Sequence, residues 1–244
     1  FTGYYDHYSF WLAEMRESTE IDSLLTDWGD SYGAHVRNPF LQDPLQFAKT
    51  PDERRHIYLN RELFNSLMHE PFEEDFFEAD LSPNLLRGRM LNELFHEAIP
   101  VLLREDDLNS MSVSIENRSP YLDRHLSEFM YSVPSRYLIK DGYAKWILRE
   151  AVDGVLNDQV RLDKQKRGFN ASIDSLLDRS DSDVIDRLLA PGPIFDIVKR
   201  DRIEAFLRED FEDNSFSKFA FSFVSAKLFL ESDLVSGQHS KVAA

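Results

Sequence analysis

At 244 residues and 42% apolar content, the chain is long enough to bury a real core, as one large domain or two small ones. Its 44 acidic against 28 basic residues give a net charge of −16, which excludes general attraction to nucleic acid or to an anionic membrane, so an anionic ligand needs a local basic cluster. There is no cysteine, which excludes disulfides and thiolate metal sites and fits a cytoplasmic protein. The apolar runs are shorter than the ~20 residues that span a bilayer, and no signal peptide opens the chain.

The first residues, FTGYYDHYSFWLAEM, carry no initiator Met and read as the continuation of a longer protein. Apolar spacing is helical from there onward. Phe10, Trp11 and Met15, then Ile21, Leu24, Leu25 and Trp28, recur at three- and four-residue steps, and strict alternation is scarce. Pro39 and Pro44 interrupt the pattern, and Pro51 suits the first turn of a helix. Further helices are expected over 52–68, 82–103, 122–132, 144–153, 173–178, 181–189, 194–209 and 215–231, an all-α reading. The last of these, in SFSKFAFSFVSAKLFLESD, is apolar enough for the core or for a partner domain. Residues 236–244 read as a flexible tail, leaving 1–235 as the folded part. No repeat of 20–50 residues is visible. The acid-phenylalanine runs EPFEEDFFEAD and REDFEDNSF read as solvated helix ends and loops.

Motif chemistry is sparse. No Ser/His/Asp signature, zincin pair or Gly-rich phosphate loop is present. HEAIP at His96 has half of a zincin motif and reads as a helix-surface pair, and the seven scattered histidines give no basis for a metal site. Bases do concentrate at Lys140, Lys145, Arg149, Arg161, Lys164, Lys166 and Arg167, which fits either an anionic ligand or a solvated basic loop. Gly168 would let the backbone approach a ligand there. In DGYAKWILREAV, a turn at Asp141-Gly142 leads into a helix with Lys145 in its first turn. A cation opposes the helix dipole at that place unless an anion sits between them. In SMSVSIENRSPYLDRHLSEF, Glu116 and Arg118 share a face only if the backbone is extended, as Pro120 favours. They read as a buried ion pair fixing a helix-loop-helix junction, or else as the wall of a ligand site; the buried pair is favoured.

Three stretches in this order, LLREDDLNSMSVSIENRSPYLD, GYAKWILREAV and DKQKRGFNAS, resemble the C-terminal synthetase domain of glutamine-hydrolysing asparagine synthetases. The family pattern is close to LLR-x-x-D-R-N-S-M-A-x-S-x-E-x-R-x-P-F-L-D, then K-x-I-L-R-E, then K-x-G-F. The opening FTGYYDHY is similar to the end of the family's pyrophosphate-loop segment, G-x-G-x-D-E-L-F-G-G-Y.

The resemblance implies the helical C-terminal part of an α/β adenine-nucleotide-hydrolase-like (PP-loop) synthetase domain, mainly α here, with its sheet portion upstream. It implies adenylation of the aspartate side-chain carboxylate by ATP, with Mg2+ brought by the nucleotide, and attack by ammonia from an upstream glutaminase domain. By position, Lys145 is implied as the catalytic lysine at the ATP phosphates. Lys166, with Lys164 and Gly168, is implied to bind ATP or pyrophosphate, while Asp107, Glu116 and Arg118 wall the cleft. No metal ligands, nucleic acid or membrane are implied, and a homodimer is compatible. Leu108 stands for the pattern's arginine, Ser112 for its alanine and Thr2 for its second glycine. The S-G-G-x-D-S loop and the acidic G-x-G-x-D-E residues would lie upstream, so these 244 residues alone are expected to be inactive. Leu108 leaves room for another acceptor carboxylate, as in surface-polysaccharide amidation or β-lactam formation. The rival from another class is a non-catalytic helical interaction module.

Overall fold

The computed structural model describes residues 2–36, 38–54, 56–57, 60–72, 76–164, 173–209 and 214–232. In chain order they form α1 (Tyr5–Met15), α2 (Ile21–Ser31), α3 (Gln46–Lys49), α4 (Arg61–Leu67), α5 (Leu85–Phe95), α6 (Ala98–Met111), α7 (Arg124–Ser132), β1 (Ile139–Lys140), β2 (Tyr143–Ala144), α8 (Trp146–Ala151), α9 (Asp158–Arg161), α10 (Ser182–Leu188), α11 (Arg200–Arg208) and α12 (Asn214–Leu230). The mainly helical reading holds. The all-α one is corrected by a two-residue hairpin that pairs Ile139 with Ala144 and Lys140 with Tyr143. Its turn places Asp141 at φ 51° and Gly142 at φ 74°, the two positive values that a tight two-residue hairpin requires. Strands of two residues are too short for alternation to reveal.

The chain divides into two compact units, 1–56 with 76–167 and 57–75 with 168–244. In the first unit, α1 is buried continuously from Asp6 to Ala13, as its apolar and aromatic residues on every side demand. Phe10 stacks on Phe47 with ring centroids 3.8 Å apart, and Leu12, Leu86, Leu138 and Ile139 are fully buried around them. Leu138 and Ile139 thereby root the hairpin in the core. In the second unit, α4, α10, α11 and α12 bury Leu67, Ile185, Ile203, Leu207 and Phe223, and Phe64 stacks on Phe219. One face of α12 is core, as expected, while Phe221, Leu228 and Phe229 are exposed.

Helix ends depart from expectation where side chains bond across the chain. The helix expected from Pro51 begins only at Arg61, behind an Asn60 cap that accepts from the Leu63 N–H at 3.1 Å. Before it, Arg54 is drawn to Glu78 by two hydrogen bonds of 2.9 and 2.6 Å and lies 4.8 Å over the Phe10 ring. The helix expected over 82–103 breaks at His96 and Glu97, because Glu97 turns its carboxylate back to Arg89. His96 is exposed, but Glu97 is no simple surface group. Residues 194–209 split into a 3-10 turn (Pro193–Asp196) and α11, and 173–178 contain only a 3-10 turn (Ile173–Ser175). Asp123 caps α7 through the Leu126 N–H at 3.0 Å. The expected tail, 236–244, lies outside the described residues.

No residue from Ala98 to Phe129 is buried. Val101, Leu108, Met111, Val113, Ile115 and Tyr121 are each more than half exposed. No described helix is long and apolar enough to cross a membrane.

Candidate functional site

Lys145 directly follows β2 and precedes α8, with φ 59°, a left-handed conformation disfavoured for a residue with a Cβ. Its N–H donates to Thr2 Oγ1 at 2.9 Å, and the Thr2 hydroxyl donates to the Leu138 carbonyl at 3.2 Å. The adjoining Ala144 N–H reaches the Tyr32 hydroxyl at 3.3 Å. The lysine side chain runs over Gly3, where an added Cβ would lie 2.7 Å from Cε and 3.4 Å from Nζ. No described residue forms a hydrogen bond or ion pair with the Lys145 ammonium. Desolvation by the surrounding protein lowers its pKa, and the nearby Arg149 charge lowers it further. Lys145 caps the six-residue α8 rather than lying in its first turn, so that placement is corrected while the residue remains at the N-terminal end of the helix.

Most of the other bases in the cluster are committed elsewhere. Arg149 donates from Nε to the Ala144 carbonyl and from Nη2 to the Asp163 carbonyl, both at 2.9 Å, and from Nη1 to the Arg161 carbonyl. It thus pins the segment leading to Lys166. Arg161 pairs with Asp158 at 2.7 Å and Asp153 at 2.9 Å. Lys164 donates to Ser31 Oγ at 2.9 Å and lies 4.4 Å over the Tyr143 ring. Beneath it, a Cβ on Gly142 would come 2.2 Å from Ser31 Oγ, so only glycine fits that turn. Lys140 stands 3.9 Å from Asp141 and 5.3 Å over the Trp146 ring. Lys166, Arg167 and Gly168 lie outside the described residues.

Asp107 belongs to α6, and Glu116 and Arg118 to the chain that follows it. All three are exposed. Arg118 bonds Glu116 through Nε at 3.0 Å and Nη2 at 2.9 Å, so the expected pair forms. It is exposed rather than buried, a correction that follows from the uncovered 98–129 face. Among the described residues, no hydrogen bond or ion pair joins these three to Lys145.

Sequence analysis missed a buried polar cluster behind Gly3. His7 takes the Gly3 N–H on Nδ1 at 3.3 Å, which leaves its proton on Nε2 to donate to Glu93 at 2.8 Å. His56 donates to Asp6 across 3.2 Å, and Arg89 bonds Glu78 and Glu97, each at 2.8 Å from Nη1. Asp6, His7 and Glu93 bring possible ligand atoms within 4.8 Å of one another. His7 Nε2 and the Arg89 guanidinium, 2.8 and 3.3 Å from the two Glu93 oxygens, already pair with that carboxylate. The i, i+4 spacing of Arg89 and Glu93 on α5, with Glu97 a further four residues on and just past the helix end, was the signal available in the sequence.

Burial alone would raise the Asp6 pKa, but the His56 hydrogen bond and the charges of His7, His56 and Arg89 overcome it and hold the carboxyl at about 2. A depressed carboxylate pKa adds stability above its unfolded value of ~4 that is lost as the pH falls through the folded value. Wild-type protein is therefore expected to lose about 2 kcal/mol more stability than Asp6→Asn between pH 5 and 2. Thermal unfolding across that range checks it; parallel profiles for the two proteins would refute it.

A family model described as asparagine synthase matches residues 1–231. The chain is 26% identical over 118 residues to asparagine synthetase (glutamine-hydrolyzing) 1 of Bacillus subtilis strain 168, covering 47% of this chain and 18% of that protein. It is 37% identical over 59 residues to asparagine synthetase (glutamine-hydrolyzing) 3 of the same organism, covering 24% and 10%. The chain thus spans less than a fifth of the length of either curated relative in the aligned region. No solved structure matches it.

Proposed function

Because the chain belongs to the asparagine synthase family, we propose that it forms the helical, pyrophosphate-side part of an ATP-dependent amide-forming ligase. A carboxylate oxygen of aspartate, or of a related acceptor, attacks the α-phosphorus of ATP and pyrophosphate leaves. Ammonia, supplied by a glutaminase domain of the same protein, then attacks the acyl carbon; AMP leaves and the amide nitrogen loses a proton. The chemistry this chain contributes is a fixed cation for the charge that builds on the departing pyrophosphate. The observation that carries the reading is Lys145, whose ammonium no described residue engages although its backbone is held by Thr2. Lys166 and Gly168 are proposed as further ATP- or pyrophosphate-binding residues, and Lys164, anchored to Ser31, as a second-line charge.

The exposed 98–129 face is read as the side covered by the α/β nucleotide-binding (PP-loop) part of the synthetase. On that reading Asp107, Glu116 and Arg118 become a cleft wall once the sheet portion packs on them. What supports this is the uninterrupted exposure of six large apolar side chains there. Mg2+ is proposed to arrive with the nucleotide, since the Asp6–His7–Glu93 group is closed by a proton and a guanidinium. Leu108, 59% exposed on α6, leaves the acceptor open between aspartate and another carboxylate.

The test is AMP release by the full-length protein with ATP, ammonia and a panel of carboxylates that includes aspartate. Release that depends on one of them is expected. A full-length protein that releases no AMP with any of them, and whose gene lacks an S-G-G-x-D-S loop, would be the non-catalytic interaction module instead.

A further inference from the structure

Thr2 stands where the related F-G-G-Y pattern has the first of its paired glycines, and its side chain makes two bonds that a glycine cannot. It is completely buried. Its hydroxyl accepts from the Lys145 N–H just after β2 and donates to the Leu138 carbonyl just before β1, joining the N-terminal segment to both ends of the hairpin. The bond to Lys145 holds a residue whose left-handed backbone is disfavoured. Gly3 continues the same device. Its Cα forms the surface along which the lysine stem lies, and its N–H is held by His7 Nδ1, whose Nε2 is held in turn by Glu93.

We propose that Thr2 and His7 are positioning residues for Lys145. Thr2 fixes the lysine backbone through Oγ1, and His7, backed by Glu93, fixes the Gly3 floor on which the side chain extends. The proposal rests on the reading of Lys145 as the pyrophosphate-side cation. That no described residue engages the ammonium follows naturally: the lysine is held by its backbone and its stem, so the ammonium stays available to a ligand. Placing a charge this way lowers the cost of ordering it at the moment of reaction, and a shift near 1 Å is enough to cost about 100-fold in rate.

The first measurement is independent of activity. The full-length protein is acetylated with acetic anhydride across a pH series, and modification of Lys145 is read by mass spectrometry. Thr2→Val is expected to move the Lys145 midpoint up toward that of an ordinary lysine, because the side chain leaves its desolvated seat, while Thr2→Ser keeps the wild-type midpoint. An unchanged midpoint in Thr2→Val overturns the proposal. If Thr2→Val does not fold, Gly3→Ala tests the same seat by pushing on Cε, and an unchanged midpoint there overturns it equally.

The second measurement is a double-mutant cycle in ATP–pyrophosphate exchange. Thr2→Val is expected to slow exchange about 10- to 100-fold in the wild-type background and by less than about twofold in a Lys145→Met background. Equal losses in both backgrounds would mean general destabilisation and would sink the positioning role. If Lys145→Met itself leaves exchange unchanged, the functional reading of the site fails, and the acetylation midpoint still decides whether Thr2 seats the lysine.

Discussion

Replacing Lys145 by methionine in the full-length protein is expected to slow ATP–pyrophosphate exchange by two to three orders of magnitude, about 3–4 kcal/mol of transition-state stabilisation. Methionine retains an unbranched stem to lie on Gly3 and leaves the backbone bond to Thr2 in place, so only the ammonium is lost. The effect should be large because the described structure spends no part of this charge on an internal partner, unlike Arg149, each of whose three guanidinium nitrogens donates to a backbone carbonyl. Lys140→Met, which removes a cation that only neighbours Asp141 and covers Trp146, is the control and should stay within about twofold of wild type. A pH profile adds a second check. Burial holds the Lys145 pKa below the ordinary lysine value, so activity that needs the cation is complete below the lowered pKa and lost above it. The alkaline limb should begin at a lower pH than an ordinary lysine gives, and Lys145→Met should abolish it. Exchange in Lys145→Met within twofold of wild type would remove this lysine from the site.

Lys145 was legible in the sequence for a reason the structure replaces. Sequence placed it in the first turn of a helix, against the dipole; the fold instead seats it in a left-handed residue after a hairpin, tied to a threonine 143 positions away. That long-range bond has no local signature. The basic cluster was legible as composition, yet composition does not separate a ligand cation from a clamp: Arg149 and Arg161 hold chain segments and acids together, whereas Lys145 does not. Helical periodicity found α2, α7 and α10 because each has an apolar stripe of its own, and α1 and α12 because apolar residues recur along them at three- and four-residue steps. It failed at the described residues of 52–60 and at His96-Glu97, where Arg54 bonds Glu78, 24 positions away, and Arg89 draws Glu97 back from the expected helical path. The polar core was invisible for the same reason, since Asp6, His56, Glu78 and Glu93 come from four separate segments. Glu116 and Arg118 attracted attention as a candidate buried pair, but burial depends on what packs over them, and the described residues place nothing there.

The ion pairs that stabilise the first unit therefore centre on Arg89, and Arg89→Met is expected to cost about 3–5 kcal/mol of stability. The guanidinium is 4% exposed and meets Glu97 at 2.5 and 2.8 Å, Glu78 at 2.8 Å and Glu93 at 3.3 Å, with Asp6 at 3.9 Å. Methionine fills much of the volume but leaves these carboxylates facing one another with only Arg54, His7 and His56 nearby, so most of the loss comes from uncompensated charge. For a chain of this size that corresponds to a fall in melting temperature of roughly 6–20 °C. The deficit should shrink in mildly acidic buffer, where the stranded carboxylates take up protons, and should respond weakly to salt, which screens buried charges poorly. Arg118→Met offers the opposite case: its pair with Glu116 is 81% and 69% exposed, and its removal should leave the melting temperature unchanged at any salt concentration. If Arg89→Met melts within 2 °C of wild type near neutral pH, the network is not what holds α1 and α5 together, and apolar packing around Phe10 and Leu86 must supply that stability instead.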